Sequence, residues 1–362
     1  MVAKAIVKRI ETYEESKIRE ILEENKDFIL SGLKSGDRVL IKPNFISFNP
    51  PERAVTTHPV FIRAVVKFLL SNGFKVLVGD IPGRVIPTSK YPEISGLTGI
   101  KDENLEISEL AVFGFNDVKR NFLKLDELHL PKVLWEVKKL FNLPKMKTHS
   151  LTFITGATKN LFGLTPRKDR LKIHRITSNV EFSKAVYDIA YSIPIPQIVI
   201  MDGIIGMEGD GPSYGTPVEL DSVIISDDPL LADYAMTKIM GFREESIPLF
   251  KAVGIPKGEI IGLSSIPQKK CEPPKTFKAS SVISTVAGVI FSTFINVVQT
   301  VPEVNKSMCI KCGVCAAKCP AKAITLSPYP VFDRDKCIMC YCCHELCPEG
   351  AIYLKKRIKI GG

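Results

Sequence analysis

Two runs of four cysteines, each closed by a proline, constrain this chain more than any other feature. Cys309, Cys312, Cys315 and Cys319 precede Pro320, and Cys337, Cys340, Cys343 and Cys347 precede Pro348, so the second run repeats the first at an offset of 28 residues. Ala323-Ile324 and Ala351-Ile352 follow at matching positions. Three thiolates spaced by two residues can face one polynuclear centre only if the backbone curls around it. The fourth ligand must then come from a more distant segment. Zinc sites usually close with four ligands in two pairs, and neither zinc nor a disulfide framework explains two triplets each followed by Cys-Pro.

The spacing resembles the ligand run of bacterial-type ferredoxins, in which the fourth cysteine of each run ligates the other cluster. The resemblance implies two 4Fe–4S clusters, one on Cys309, Cys312, Cys315 and Cys347 and the other on Cys337, Cys340, Cys343 and Cys319. Exchanging the fourth ligand ties together the halves of a segment too small to build much core. The chemistry of such a module is one-electron transfer.

The remainder of the 362 residues has room for a large domain, and 45% hydrophobic content supports its core. Eight of the ten cysteines lie in the two runs, leaving Cys271 and Cys342. Glu11, Glu14 and Glu15 interrupt the short apolar start, so no secretory signal is read there. With oxygen-sensitive clusters, the expected compartment is a reducing cytoplasm. The formal charge is +10, but the basic residues are dispersed and no zinc-finger or RNA-binding fingerprint appears. An anionic small-molecule substrate and a redox partner or electron donor fit this charge better than nucleic acid.

Residues 1–276 are expected to form an α/β domain, 277–303 an uncharged amphipathic connector helix, and 304–362 a small α+β ferredoxin-type iron–sulfur module with a basic tail. The connector is read from the uncharged stretch between Lys278 and Glu303, where Ile283, Val286, Ile290, Phe294, Ile295 and Val298 form a 3.6-residue stripe opposite hydroxyls. Its polar residues argue against a membrane span, which needs about 20 predominantly apolar residues. Peripheral membrane contact is the lesser reading.

In the larger domain, apolar runs alternate with helical patterns, as in a mostly parallel sheet flanked by helices. Strands are expected at Ala5–Val7, Arg38–Ile41, Lys75–Val78, Lys139–Asn142, Gln197–Met201, Ser222–Ile225 and Glu259–Ile261. Helices are expected at Glu14–Glu23, Pro59–Leu70, Asn179–Ala190 and Pro229–Met240. Open α/β sheets bind ligands beyond the carboxyl ends of their strands. Five such ends carry Gly, Pro and ionisable groups, from Lys42-Pro43-Asn44 and Asp80 through Lys145–His149 and Asp202–Asp210 to Ser226–Pro229. They are expected to share one cleft.

The chemistry-bearing residues concentrate between Lys145 and Arg175. Thr155 to Gly163, with its glycines and hydroxyls, reads as a helix start that attracts anions, whereas Arg167 to Lys172 reads as a solvated basic face. His149 and His58 are candidates for proton transfer because imidazole titrates near neutrality. Lys159 is a candidate for a lysine of depressed pKa or a covalent attachment point. Lys42, Asn44, Asp80, Lys145, Lys147, Asn160, Asp202, Glu208 and Asp210 complete the expected substrate-binding set.

Lys42-Pro43-Asn44, Thr57-His58-Pro59, Asn142-Leu143-Pro144-Lys145-x-Lys147-x-His149, Thr155-Gly156-x-x-Lys159-Asn160 and Cys340-Tyr341-Cys342-Cys343-His344 together resemble the family known as domain of unknown function 362. The resemblance spans nearly the whole chain. It implies a fold and a site, and leaves open a further metal or organic cofactor in the cleft. A fainter similarity runs to the nickel-pincer lactate racemases, which also place a His ten positions before a Lys, as His149 and Lys159 stand here. The leading expectation is a redox enzyme that uses cluster electrons on an anion in the cleft. An electron-transfer or binding subunit and a non-redox enzyme are the alternatives.

Overall fold

The computed structural model describes residues 2–83, 86–275 and 298–358, with backbone alone at 298–300 and 356–358. Its strands, in chain order, are β1 (Ala3–Arg9), β2 (Arg38–Pro43), β3 (Lys75–Asp80), β4 (Leu105–Glu109), β5 (Phe115–Val118), β6 (Leu128–Pro131), β7 (Leu140–Leu143) and β8 (Lys145–His149). They continue as β9 (Phe153–Thr155), β10 (Gln197–Glu208), β11 (Thr216–Ser226), β12 (Gly258–Ile261), β13 (Val298–Val304), β14 (Ile324–Leu326), β15 (Pro330–Phe332) and β16 (Ile352–Ile358). Ten of them form one sheet in the order β12-β1-β11-β10-β7-β2-β3-β4, with β8 joined to β10 and β9 joined to β8. The run β10-β7-β2-β3-β4 is parallel throughout. This is the expected α/β class with a mostly parallel sheet.

The pleat explains how the sheet is buried on both faces, because alternate side chains point to opposite sides. Val39 and Ile41 of β2 join one core with Val76 and Val78 of β3, under the Pro59–Ser71 helix. Leu40 and Leu77, the residues between them, join the other, under the Asn179–Ala190 helix. Proline at the first helical position and a side-chain cap set the start of two of these helices. Asp228 accepts from Leu231 N at 2.7 Å ahead of the Pro229–Ile239 helix, and His58 accepts from Val60 N ahead of Pro59.

Two expectations about elements are corrected. β11 runs antiparallel to β10, so Ser226–Pro229 leaves the sheet at the edge opposite the other carboxyl ends. Residues 298–303, expected as the end of the connector helix, belong to β13, which pairs antiparallel with β16 from Val298↔Ile358 to Val304↔Ile352. A strand partner supplies backbone hydrogen bonds that outweigh the helical spacing of the side chains. The rest of the expected connector lies outside the described residues. Among the described residues, no helix is long and apolar enough to cross a membrane.

Candidate functional site

The cysteine runs fold as two copies of one backbone path. Lys311, Gly313 and Lys322 have positive φ, and so do Met339, Tyr341 and Gly350, each 28 residues later. Short helices Val314–Ala317 and Cys342–Glu345 begin at equivalent points. These left-handed residues curl the chain so that successive thiols face inward. One cradle of about 340 Å³ is lined by Cys309, Cys312, Cys315 and Cys347. The other, about 320 Å³, is lined by Cys319, Cys337, Cys340 and Cys343. Each therefore takes three thiols from one run and the fourth from the other.

Donor chemistry and geometry both fit an iron–sulfur cluster. The cysteines are all free thiols. Ala323 N donates to Cys319 Sγ at 3.2 Å and Ala351 N to Cys347 Sγ at 3.2 Å, the same amide-to-sulfur bond in both halves. Such bonds stabilise negative charge on sulfur. Among the described residues, no three His, Cys, Asp or Glu side chains converge as they would on a single ion.

A cavity of about 930 Å³, counted to its mouth, lies between the sheet and this module. The sheet side contributes Lys42, Asn44, Asp80, His149, Lys159, Asn160, Arg170 and His174, and the module contributes Lys318, Cys342, Glu345 and Leu346. The two parts also meet where Arg175 Nε donates to Pro320 O at 3.3 Å and where the Tyr214 hydroxyl donates to Cys347 O.

Lys42, next to last in β2, and Asp80, the last residue of β3, form a buried ion pair of 2.8 Å. Lys42 Nζ also donates to Pro43 O and to Asn160 Oδ1, at 2.9 and 3.1 Å. Asn160 further accepts from Asn44 Nδ2 at 2.9 Å and donates to Asn142 Oδ1 at 2.8 Å. Asp80 receives Phe45 N and Ile81 N. These polar groups answer one another, so they form a rigid floor rather than free donors.

His149 ends β8, and its Nδ1 accepts from Leu151 N at 2.9 Å. That bond places the proton on Nε2, which faces Glu345 Oε1 of the module at 3.5 Å. Burial, reinforced by Lys159, keeps the imidazole well below its ordinary pKa and therefore neutral. Burial also pushes Glu345 up to about 7, against the pull of Lys159 and Lys147. Lys159 Nζ lies over the Phe162 ring at 4.2 Å and the Phe182 ring at 5.4 Å. Burial lowers its pKa to about 8, opposed by Glu345 and Cys342 and assisted by Arg170.

Several expected site residues lie elsewhere. Lys145 makes a buried 2.8 Å ion pair with Asp202, and both bond the Tyr13 hydroxyl. The backbone N of His58 donates to the same Asp202, and its ring stacks on Tyr13 at 3.6 Å. His58 is thus a helix cap held neutral, its pKa lowered to about 4 chiefly by burial. Lys147 donates to Asn44 Oδ1 and Val55 O. Glu208 and Asp210 accept from Glu272 N and Lys275 N and secure the chain leaving the sheet. Neither the expected proton-transfer residue His58 nor the expected ligands Lys145, Lys147, Asp202, Glu208 and Asp210 line the cavity.

The anion-attracting helix start is also corrected. Asp233 accepts from Ala157 N, and from Thr158 N at 3.0 Å, so an internal carboxylate already occupies it. Gly156 is required there because a Cβ would stand 2.1 Å from Asp233 Oδ1. Conversely, Arg170 is not part of a solvated face. It lines the cavity with Arg167 and His174, while Lys168 and Lys172 are exposed. Positions 167, 170 and 174 share one side of a helical path, a spacing that distinguishes them in the sequence.

The model of the family described as a domain of unknown function, DUF362, matches residues 39–238. A 4Fe-4S dicluster domain matches residues 308–351. The thylakoid-associated protein sll1697 of Synechocystis sp. is 29% identical over 229 residues, which cover 61% of this chain and 68% of that protein. The lactate racemase apoprotein from Thermoanaerobacterium thermosaccharolyticum superposes with a TM-score of 0.39 at 12% identity, over 64% of this chain and 55% of its own.

Proposed function

This chain belongs to the DUF362 family, and from that premise we propose that it is an iron–sulfur oxidoreductase acting on a small anion in the cavity between its two parts. Cys309, Cys312, Cys315 and Cys347 would hold one 4Fe–4S cluster, and Cys319, Cys337, Cys340 and Cys343 a second. Bound there, the clusters supply electrons one at a time. The observation that carries this reading is the lining of the cavity, where Cys342, between the cradle residues Cys340 and Cys343, stands with His149, Lys159 and Arg170.

The chain's own residues then have separate tasks. Arg170 and Lys159 hold negative charge. The paired Lys42, Asp80 and Asn160 fix the floor beneath it. Glu345, pushed up to about 7, can hold and release a proton, and the neutral His149 steadies its carboxyl through Nε2–H. The overall reaction is A⁻ + 2e⁻ + 2H⁺ → AH₂⁻. Both electrons come from a low-potential one-electron carrier protein, one proton comes from the Glu345 carboxyl and the other from solvent.

The test uses anaerobically purified protein carrying about eight irons per chain. The protein is reduced with dithionite, freed of excess reductant and mixed with a panel of organic anions. Return of the cluster absorbance with stoichiometric loss of the anion is the expected result. His149→Ala, with iron content unchanged, should slow it about 100-fold or more. If no organic anion reoxidises the protein, or if His149→Ala reacts at the original rate, the proposal fails.

A further inference from the structure

Three buried polar atoms in the cavity have no hydrogen-bond partner among the described residues: Arg170 Nη2, His174 Nδ1 and Thr155 Oγ1. Buried polar atoms are nearly always paired, so three in the lining of one cavity mark a place built for a ligand. Lys159 adds its ammonium, held over Phe162 at 4.2 Å. His174 packs against Phe162 and Phe182 at 5.4 and 5.2 Å, the two rings that also carry Lys159. The other cations on this wall are already engaged, Lys42 with Asp80 and Arg167 with Glu109 at 2.6 Å.

We infer that the cavity binds the carboxylate of a small organic acid, the head group between Arg170, Lys159 and His174 and the apolar body against Phe162, Leu171 and Leu346. The planar guanidinium fork matches a carboxylate. Phosphate sites draw on runs of backbone N–H at helix starts, and the start at Ala157 and Thr158 is taken by Asp233. The apolar remainder of the wall, including Ile46, Ile81 and Pro82, suits a carbon skeleton rather than a free inorganic ion. This assignment names the substrate class for the redox reading of the same site, on which it rests only for the fate of the bound molecule.

The experiment is anaerobic isothermal titration of the cluster-loaded protein with acetate, 3-phenylpropionate and 4-phenylbutyrate, each beside its amide, and with inorganic and phenyl phosphate. At least one acid should bind about tenfold or more tightly than its amide and more tightly than either phosphate. Arg170→Gln should remove about tenfold of that affinity, and Arg170→Lys should restore part of it. Should Arg170→Gln lose iron or fold poorly, Thr155→Val and Lys159→Met supply the same comparison. Equal binding of acids and amides, tighter binding of phosphate, or indifference to these substitutions in iron-replete protein would overturn the assignment. Carboxylate binding without reoxidation of the reduced protein would sink the redox reading alone. Reoxidation by anions that bypass Arg170 would sink this assignment alone.

Discussion

Lys159 sets how much charge the cavity can offer at physiological pH. Its pKa is lowered to about 8 by burial, with Glu345 and Cys342 raising it and Arg170 lowering it, and its charge in turn depresses Lys147, His149 and His174. Deprotonation removes a cation, so the affinity for a carboxylate probe should fall as pH rises through about 8. Titrations between pH 7 and 9 should show the decline, and Lys159→Met should bind more weakly at pH 7 and lose the part of the decline centred near 8, keeping the part that follows Glu345 near 7. Asp202 offers a second test, away from the cavity. Asp202→Asn leaves Lys145 buried without its counter-charge and should cost about 3–5 kcal/mol, read from the anaerobic urea midpoint with binding per folded chain unchanged. At this scale the sequence was only half informative. It singled out His149, Lys159, Lys42, Asn44, Asp80 and Asn160, which do line the cavity. It could not separate Lys145 and Lys147, whose donors are spent on Asp202, Asn44 and Val55, from Arg170, because hydrogen-bond satisfaction depends on contacts between distant segments.

Among the elements, the four-residue helix Ala157–Asn160 depends on the Pro229–Ile239 helix for its start, since Asp233 caps it across 75 residues of chain. Asp233→Ala should leave two buried N–H groups unanswered and cost about 2–4 kcal/mol. Gly156→Ala should do comparable damage by pushing the same carboxylate aside, because its Cβ would meet Asp233 Oδ1 at 2.1 Å. Paired urea titrations, with the double variant far from additive, would confirm that both act on one contact. The main strands and helices were legible because their apolar periodicity is local. β8 was hidden, since Lys145–His149 is polar in sequence yet completely buried and reads as a loop. The direction of β11 was equally hidden, because an apolar run looks the same in either orientation.

For the whole molecule, the crossed cradles make a prediction that chain order alone would get wrong. Cys347→Ala, though in the second run, should empty the cradle of Cys309, Cys312 and Cys315 and leave about four irons per chain. Cys319→Ala should empty the other cradle. The two variants should retain distinguishable paramagnetic signals in the reduced state, and identical signals would exclude the crossing. The module's internal order was readable from eight cysteines, but its attachment was not. That depends on Tyr214, Arg175 and His149 reaching across to Cys347, Pro320 and Glu345.

The shared wall of the cavity has a consequence for assembly. Cys342 and Glu345 belong to the short helix between Cys340 and Cys347, and Leu346 follows it, so a segment between cradle cysteines also walls the proposed acid site. By reciprocity, a ligand that favours the closed wall must strengthen cluster binding by the factor by which cluster loss weakens the ligand, read from iron partitioning against a chelator at equilibrium. A half-assembled chain would then be silent rather than wasteful, unable to capture the molecule that it could not yet reduce.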